Sequence, residues 1–419
     1  MISDIHLPED RTAEPFENLS ALRASHIELM RANRHQTEKQ ELISRIRLFL
    51  SRAEATGARL GASAERDAAE TILDYWTATL LNTPGIDPKA LSPVKLAPLD
   101  RSMVPDLEGR PNPYMGLSAF DEKNAGQFFG REDALRSLFE KVSRYPIVFV
   151  SGQLGSGKTS IVVSGLLPQL SVGLGNEKTK ILPVIIPGIH PLESLLRAIH
   201  QVSDEPDSEA QSPRSPAQIR DLLFRVSNGH PVVIVVDQFE EIFTLGHDQT
   251  TRDAFVGALA AIAQDGRAKN RVVLITRSDR ADEALQLDLL KPFTQDLDAR
   301  FSPPPPTHAE LLRMIELPAE RVGLKFDDDV VEDIIREVTG ELTPLPLLQF
   351  TLSQLWAARD RNRVTSDVYR QVGRPRDALR RTVDKVCSCL SPDELNVAKR
   401  EWEYCKLSGR YRTVVGPSR

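Results

Sequence analysis

The chain has 419 residues, of which 41% are hydrophobic and 27% are charged, and its formal net charge is −6. These values are typical of a soluble globular protein with room for two or three domains. The excess of acidic residues argues against a bulk attraction to DNA or to an anionic membrane, although a local basic patch stays open. Cys387, Cys389 and Cys405 lack the spacing of a zinc site, so reduced thiols are expected instead.

The N-terminal residues and the apolar runs bear on targeting. The first residues contain acids and no apolar stretch, so we expect no signal peptide. The longest apolar run, at 232–236 with its flanks, is far shorter than the roughly 20 residues that cross a bilayer. A cytoplasmic protein without a membrane partner is therefore expected.

Residues 1–82 are predicted to form a small helical bundle. Apolar residues recur at near-helical spacing over three stretches within 17–82, and Ser63 is a candidate N-cap for the third helix. Seven prolines then punctuate the stretch from Asn82 to Tyr114, which has little periodicity. We interpret residues 83–112 as a Pro-rich linker.

Residues 113–305 alternate short apolar runs with amphipathic segments. This pattern predicts an α/β domain, a parallel sheet with helices on both faces. A polar Ser/Pro-rich surface loop separates the second run from the third. The predicted strands are 147–151, 181–186, 232–236, 272–276 and 296–301.

After four consecutive prolines at 303–306, the sequence indicates helices. Their predicted bounds are 307–322, 327–338, 345–360 and 374–404. We therefore expect a helical lid domain over residues 306–372. A helical C-terminal region over 373–419 could start a winged-helix domain.

The segment from Gly152 to Thr159 matches the P-loop pattern G-x-x-x-x-G-K-[S/T] at every position. Glycines let successive backbone N–H groups approach a phosphate, and the helix that follows directs its positive end at the same anion. Lys158 would reach the β- and γ-phosphate oxygens, and the Thr159 hydroxyl would bind Mg²⁺. ATP is the expected nucleotide, with GTP as the alternative. The predicted nucleotide-binding residues of this segment are Gly152, Gly155, Ser156, Gly157, Lys158, Thr159 and Ser160.

An acidic motif follows the predicted strand 232–236. Asp237 stands at its C-terminal end, the edge where parallel sheets bind ligands, and is a second candidate Mg²⁺ ligand. The next position, where many P-loop ATPases have an acid, holds Gln238. Glu240 is therefore our first candidate for the base that activates water, and Glu241 the second. Alternatively, either could simply stabilise the start of the next helix.

Arg277 directly follows the apolar run at 272–276. A guanidinium at this edge could contact a γ-phosphate and take part in catalysis. The alternative is a surface arginine that pairs with Asp279 or Asp282.

Residues 128–132, Phe-Phe-Gly-Arg-Glu, precede a predicted helix and the P-loop strand. This order resembles the hhGRE motif of STAND NTPases, signal-transducing ATPases that are related to AAA+ proteins. The acidic motif at 235–243, the LITR run at 274–277, the proline-rich stretch 301–324 and the segment 343–356 add to the likeness. The resemblance covers roughly residues 112–405 and is strongest to the bacterial novel STAND group.

The resemblance implies roles for particular residues. Phe129, Gly130 and Arg131 would frame the adenine, with Arg131 near the base. Pro346 would be the proline of the lid's GxP motif, which packs against the nucleotide. This chain has Pro344 where that motif has glycine, and Pro346 could instead simply start a helix. Arg277 would be the sensor arginine.

The resemblance also implies a function. STAND proteins are generally switches, in which ADP holds a closed resting monomer and ATP opens it to self-associate and activate an effector. Many bacterial members resemble sensors for conflict or antiviral defence. We therefore expect a slowly hydrolysing Mg-ATP switch whose partners are further copies of itself and an effector or sensor protein.

Two alternatives stay open. One is an ATP-binding scaffold without hydrolysis, which would apply if Glu240 and Glu241 both point away from the nucleotide. The other is an ATPase like the AAA+ proteins of origin recognition, which bind DNA. The basic cluster that could serve the second alternative is Arg374, Arg376, Arg380 and Arg381, although such runs are more often solvated helix faces.

Overall fold

The computed structural model describes residues 14–34, 39–61, 63–84, 86, 94–100, 106–173, 178–202, 215–341, 343–391 and 393–400. Most of the predicted Ser/Pro-rich loop, residues 203–214, and residues 401–419 with Cys405 lie outside this part. The chain divides into two compact units, Met1–Gly109 with Arg361–Arg363, and Arg110–Asp360 with Val364–Arg419.

The first unit contains the three predicted helices, α1 (Leu19–Arg34), α2 (Lys39–Thr56) and α3 (Ser63–Leu81). Its core also holds a polar contact, because the indole Nε1–H of Trp76 donates to Nδ1 of His26 at 2.9 Å. A short 3₁₀ turn, Gly57–Arg59, follows α2. The shared apolar core includes Leu22, Leu29, Ile46, Phe49, Leu50, Leu73, Trp76 and Leu80.

The second unit is built on a five-stranded parallel sheet of order β2-β3-β4-β1-β5, which confirms the predicted fold class. In this order β4 lies between the strand that enters the P-loop and the strand that ends before Asp237. The strands are β1 (Ile147–Gly152), β2 (Lys180–Ile181), β3 (Val232–Val236), β4 (Arg271–Arg277) and β5 (Arg300–Phe301).

Two strands are shorter than predicted. The ladder of β2 stops after Ile181 and resumes as a single bridge at Ile185, with Pro183, which lacks an N–H, between them. The predicted strand 296–301 begins instead with a 3₁₀ turn, Leu297–Ala299, which the side chain of Asp296 caps. A proline at one edge of the sheet and a capped turn at the other therefore outweigh the apolar pattern.

Helices cover both faces of the sheet, as predicted. On β1, Val148 and Val150 pack with α4 (Glu132–Arg144) and the helix that follows the P-loop. Ile147 and Phe149 face the other way, because successive side chains of a strand point to opposite faces. That second face is covered by α7 (Pro191–His200), α8 (Pro216–Val226) and α10 (Gln249–Ala263).

The helix after the P-loop has three parts, α5 (Lys158–Ser160), a π-helical turn (Ile161–Leu166) and α6 (Leu167–Val172). The π-helical turn, which is wider than an α-helical one, ends two residues before Pro168, which has no N–H for a regular helical hydrogen bond. Short elements complete this part of the unit. They are α9 (Glu241–Thr244), α11 (Ala281–Leu285), α12 (Lys291–Thr294) and 3₁₀ turns at Glu122–Gln127 and Ser278–Arg280.

The C-terminal part is helical, with α13 (His308–Val322), α14 (Asp328–Val338), α15 (Pro344–Ala358), α16 (Ser366–Val372) and α17 (Pro375–Ser388). Two short strands, β6 (Lys325–Phe326) and β7 (Arg363–Val364), form a two-stranded sheet that we did not predict.

The predicted helix 374–404 is interrupted within the described residues. After α17, Ser391 and Glu394 exchange the reciprocal hydrogen bonds of a capping box, and a second helical segment occupies 393–400. Cys387 and Cys389 are free thiols. A winged helix stays a prediction. Across the described ranges, the helices are too short or too polar to traverse a bilayer.

Candidate functional site

The loop between β1 and α5, together with the first residues of α5, forms a phosphate cradle (residues 152–159). Gly155 and Gly157 have φ angles of +73° and +83°, the left-handed region that glycine adopts without strain. A Cβ on Gly152 would lie 2.8 Å from Oγ of Ser156. That hydroxyl is buried and has no hydrogen-bond partner within the described structure. The left-handed backbone therefore accounts for Gly155 and Gly157, and the nearby Ser156 side chain accounts for Gly152.

Lys158 begins α5 and turns back across the loop. Its Nζ donates to the carbonyl oxygens of Gly152 at 2.9 Å and Gln153 at 2.8 Å. Burial lowers the pKa of Lys158, an effect that the carboxylates of Glu240 and Asp237 oppose. The structure thus places the half-buried ammonium of Lys158 at the cradle with two carboxylates near it, as an anionic ligand with a bound cation requires.

Asp237 and Thr159 meet at the carboxyl end of the sheet. The Thr159 hydroxyl donates to Oδ2 of Asp237 at 2.9 Å, and the backbone N–H of Gln238 donates to Oδ1 at 2.9 Å. Gln238 takes a left-handed conformation with φ of 54°, which the sequence did not reveal and which turns the chain after Asp237. Burial raises the pKa of Asp237. A cation bound beside this carboxylate would act in the opposite direction and favour its ionised form.

Mg²⁺ fits the chemistry of this pair. A hydroxyl and a carboxylate are the hard oxygen ligands that Mg²⁺ prefers, usually completed by water and phosphate oxygens. Within the described residues, no cluster of three or more His, Cys, Asp or Glu side chains could hold a metal alone. Thr159 and Asp237 would hold the ion, which would neutralise charge on the phosphates.

The two candidate bases point to different partners. Glu240 is 8% exposed, and its Oε2 accepts the backbone N–H of Arg277 at 3.3 Å. Burial raises the pKa of Glu240. The carboxylate of Glu241 instead accepts the N–H of Gly188 at 2.9 Å, and His247 contacts the carbonyl of the same glycine at 2.9 Å. Glu240 therefore lies at the end of β4, whereas Glu241 holds the loop that precedes α7.

Arg277 ends β4, directly beside Gly152 in the register of the sheet. Its guanidinium donates to both carboxylate oxygens of Asp279, at 3.0 and 2.8 Å. The positive charge of Arg277 also lowers the pKa of Lys158, after the larger effect of burial. The structure thus shows the alternative pairing with Asp279 and also places Arg277 near the cradle.

Residues 126–132, which we call the GRE segment, lie against α13. Arg131 is 4% exposed, and its Nη2 donates to the carbonyl of Pro304 at 2.7 Å. Its Nη1 lies 3.6 Å from Oε1 of Glu310, a residue of α13. Gly130 has φ of +76°, and a Cβ there would lie 2.4 Å from the backbone carbonyl oxygen of Glu310. These partners on and before α13 were not apparent from the sequence.

Phe129 and Ser160, both predicted to bind nucleotide, also have protein partners. The guanidinium carbon of Arg321 lies 4.6 Å from the centre of the Phe129 ring, a cation–π contact. The Ser160 hydroxyl accepts the backbone N–H of Phe120 at 3.3 Å. Both contacts hold the chain that precedes α4 in place.

The first turn of α15 lies on the cradle. A Cβ on Gly155 would be 2.9 Å from Cγ of Pro346 and 3.2 Å from Thr343, and a Cβ on Gly157 would be 3.1 Å from Leu345. Pro344 starts the helix, so Pro346 is free to pack on the loop. The sequence pointed to Pro346 but missed Thr343 and Leu345, because their partners lie almost 200 positions earlier in the chain.

The predicted basic cluster on α17 is paired within the protein. Arg374 forms ion pairs with two acids of α14, and Arg376 pairs with an acid just after that helix ends. Arg380 pairs with an acid on its own helix. Arg381 donates to backbone carbonyls. The carboxylate partners are Asp333, Glu337, Glu341 and Asp384.

A parallel sheet that carries this cradle, with a carboxylate beside the P-loop threonine, defines a P-loop nucleotide-binding protein. A model of the family Novel STAND NTPase 1 matches residues 113–401, well over half of the chain. The protein therefore belongs to this family, which confirms the STAND resemblance. A comparison with curated proteins found no match.

Solved structures that match this chain come from several organisms. The Walker-type ATPase of Pyrococcus abyssi is 13% identical, with a TM-score of 0.44 over 69% of this chain and 81% of that one. The Aeropyrum pernix ORC1 protein, solved in complex with DNA, is 19% identical, with a TM-score of 0.43 over 63% and 69%. Drosophila ORC bound to DNA is 16% identical, with a TM-score of 0.38 over 77% and 78%.

Proposed function

We propose that the protein is an ATP-driven switch whose lid and nucleotide share one surface, the phosphate cradle. The observation that carries this proposal is the contact of Pro346, Thr343 and Leu345 with the glycines of the P-loop. A ligand shifts a conformational equilibrium by its differential affinity for the two states. A nucleotide whose phosphates occupy the cradle meets the lid directly, so ADP and ATP can favour different lid positions.

The chemistry follows from the residues at the carboxyl end of the sheet. Lys158 and the backbone N–H groups of the loop would hold the β- and γ-phosphates, while Thr159 and Asp237 would hold Mg²⁺. Glu240 orients the attacking water and accepts its proton. Its raised pKa brings this base closer to neutral pH, where general bases act best. Arg277, released from Asp279, would contact the γ-phosphate.

The regulatory part of the proposal rests on the STAND family. ADP would hold a resting closed monomer, and ATP would open it, so that copies associate in the cytoplasm and engage an effector or sensor protein in signalling or antiviral defence. Slow hydrolysis would return the protein to rest. DNA binding is not part of the proposal, because the arginines of α17 already have partners.

Glu240→Gln and its neighbour Glu241→Gln form a matched pair that tests hydrolysis and switching. Glu240→Gln should bind ATP like the parent but hydrolyse it roughly 10²–10⁴-fold more slowly, the usual contribution of a general base. It should also accumulate as an assembly in ATP. Glu241→Gln should turn over like the parent, because its carboxylate holds Gly188. Phosphate release and light scattering after gel filtration measure both effects.

The same experiment separates the alternatives. A parent that binds ATP without turnover would be a scaffold. Parental turnover in Glu240→Gln would remove this residue from the chemistry. Monomers under ADP, ATP and a non-hydrolysable ATP analogue alike would contradict the self-associating switch.

A further inference from the structure

One face of α13 lies along the GRE segment. Glu310 is close to Arg131, and the side chain of Met314 would contact a Cβ on Gly130 at 2.8 Å. Residues three, four and eleven positions apart lie on the same side of a helix, so these contacts form one continuous strip. The further α13 contacts in the strip are Arg313 with Glu132 at 3.6 Å, and Arg321 with the Phe129 ring and the Gly126 carbonyl.

Arg131 and Glu310 form the buried centre of this strip, since their side chains are 3% and 9% exposed. Glu310 also caps α13, because its Oε2 accepts the N–H of Thr307 at 2.7 Å while the Thr307 hydroxyl accepts the N–H of Glu310. Arg131 binds the Pro304 carbonyl in addition. One guanidinium thus holds both the start of the lid's first helix and the chain that leads into it.

A short stretch of chain ties α13 to α15. The hydroxyl of Tyr114 donates to the carbonyl of Ile315 on α13 at 2.8 Å. The backbone N–H of the next residue, Met115, donates to the side chain of Gln349 on α15 at 3.0 Å. The first turn of α15 in turn lies against Gly155 and Gly157, so these contacts connect α13 to the cradle through α15.

We infer that Arg131 and Glu310 act as a latch that positions the lid over the phosphate cradle and limits nucleotide release. In this role Arg131 is a positioning residue and does not read the base. The nucleotide-release part of this inference rests on the proposed function, whereas the effect on the lid does not. A buried ion pair suits a latch, since removing either partner leaves the other charge buried without compensation.

The test uses Arg131→Met, Glu310→Gln and the double variant in the full chain. Glutamine keeps the capping box of α13 while it removes the charge, so Glu310→Gln should fold even if Arg131→Met does not. Glu132→Gln is the control, because it makes the same change in a half-exposed pair on the same strip. Stopped-flow release is measured for fluorescent ADP and GDP, and affinity for tripolyphosphate, which has no base.

The latch predicts that both single variants release ADP and GDP at least about tenfold faster and also bind tripolyphosphate more weakly. The double variant should be no worse than the stronger single variant, as expected for residues that act together. Glu132→Gln should behave like the parent. A loss confined to ADP in Arg131→Met, with Glu310→Gln unchanged, would show a base contact and overturn the latch.

Hydrogen exchange without nucleotide tests the latch independently of binding. Peptides that cover residues 343–352 should exchange about tenfold faster in Arg131→Met and Glu310→Gln than in the parent and in Glu132→Gln. Unchanged exchange in both variants would overturn the latch. A parent that binds none of the three ligands would instead reject the proposed function, with the exchange result still deciding the latch.

Discussion

The phosphate cradle and the GRE segment share a local design but serve different purposes. Each places a glycine with positive φ before a helix, Gly157 before α5 and Gly130 before α4. In the cradle, the space beside Gly155 is bounded by the side chains of Pro346 and Thr343 at the start of α15. Beside Gly130 it is bounded by the backbone of α13 at 2.4 Å. A glycine before a helix can therefore mean access for a ligand or close packing of two helices.

The basic residues of the two regions, Lys158 in the cradle and Arg131 in the GRE segment, also differ in their surroundings. Lys158 is half-buried, and its ammonium donates to two carbonyl oxygens of the loop. Arg131 is almost fully buried between Pro304 and Glu310. A movable ammonium on a flexible stem suits ligand exchange, whereas a planar guanidinium with fixed partners suits holding α13 in one position.

The largest effect is expected from Gly130→Ala. An alanine there must adopt a left-handed conformation and also displace the Glu310 carbonyl, which together should cost the second unit about 2–4 kcal/mol. Gly126→Ala is the matched control in the same segment, because its Cβ would contact only the end of the Arg321 side chain, at 3.5 Å. Calorimetric unfolding measures both. Equal costs for the two variants would contradict the close packing described for Gly130.

A somewhat smaller effect is expected from Lys158→Ala, which disrupts the cradle while leaving the GRE segment intact. Losing a charge-assisted contact with the phosphates should cost about 1.5–3 kcal/mol of binding, or at least about tenfold in affinity. Lys141→Ala, which removes a lysine of α4 that contacts Asp298, is the control. Calorimetric titration with ATP and Mg²⁺ that returned parental affinity for Lys158→Ala would reject the cradle as the binding site.

The two regions also differ in how far the sequence predicts them. The cradle, Asp237 and the central strands depend on neighbours in the chain, and the pattern of a few residues contains what they need. Arg131 finds its partner at Pro304, 173 positions away, and nothing beside it in the sequence announces that contact. Local hydrogen bonds also decide where the long predicted helix is interrupted, because Ser391 and Glu394 form a capping box that starts a second helical segment.

The smallest expected effect is a pH dependence of stability that arises from Glu240, beside the cradle. Burial raises the pKa of Glu240 in the folded protein above its ordinary value of 4.5. Between these two values the folded state binds more protons than the unfolded state, so stability falls as pH rises. Glu240→Gln removes this effect. Its Tm relative to the parent should therefore increase between pH 4 and pH 7 in nucleotide-free protein.

Gly130→Ala supplies the comparison from the other region. It changes no titratable group, so its Tm deficit relative to the parent should be the same at both pH values. We expect the Tm of Glu240→Gln relative to the parent to rise with pH, while the Tm deficit of Gly130→Ala stays constant. This result would distinguish a buried carboxylate at a ligand site from a steric contact between backbone segments. A flat profile for Glu240→Gln would show that its carboxylate is not held in a costly ionised state, and would weaken its assignment as the base.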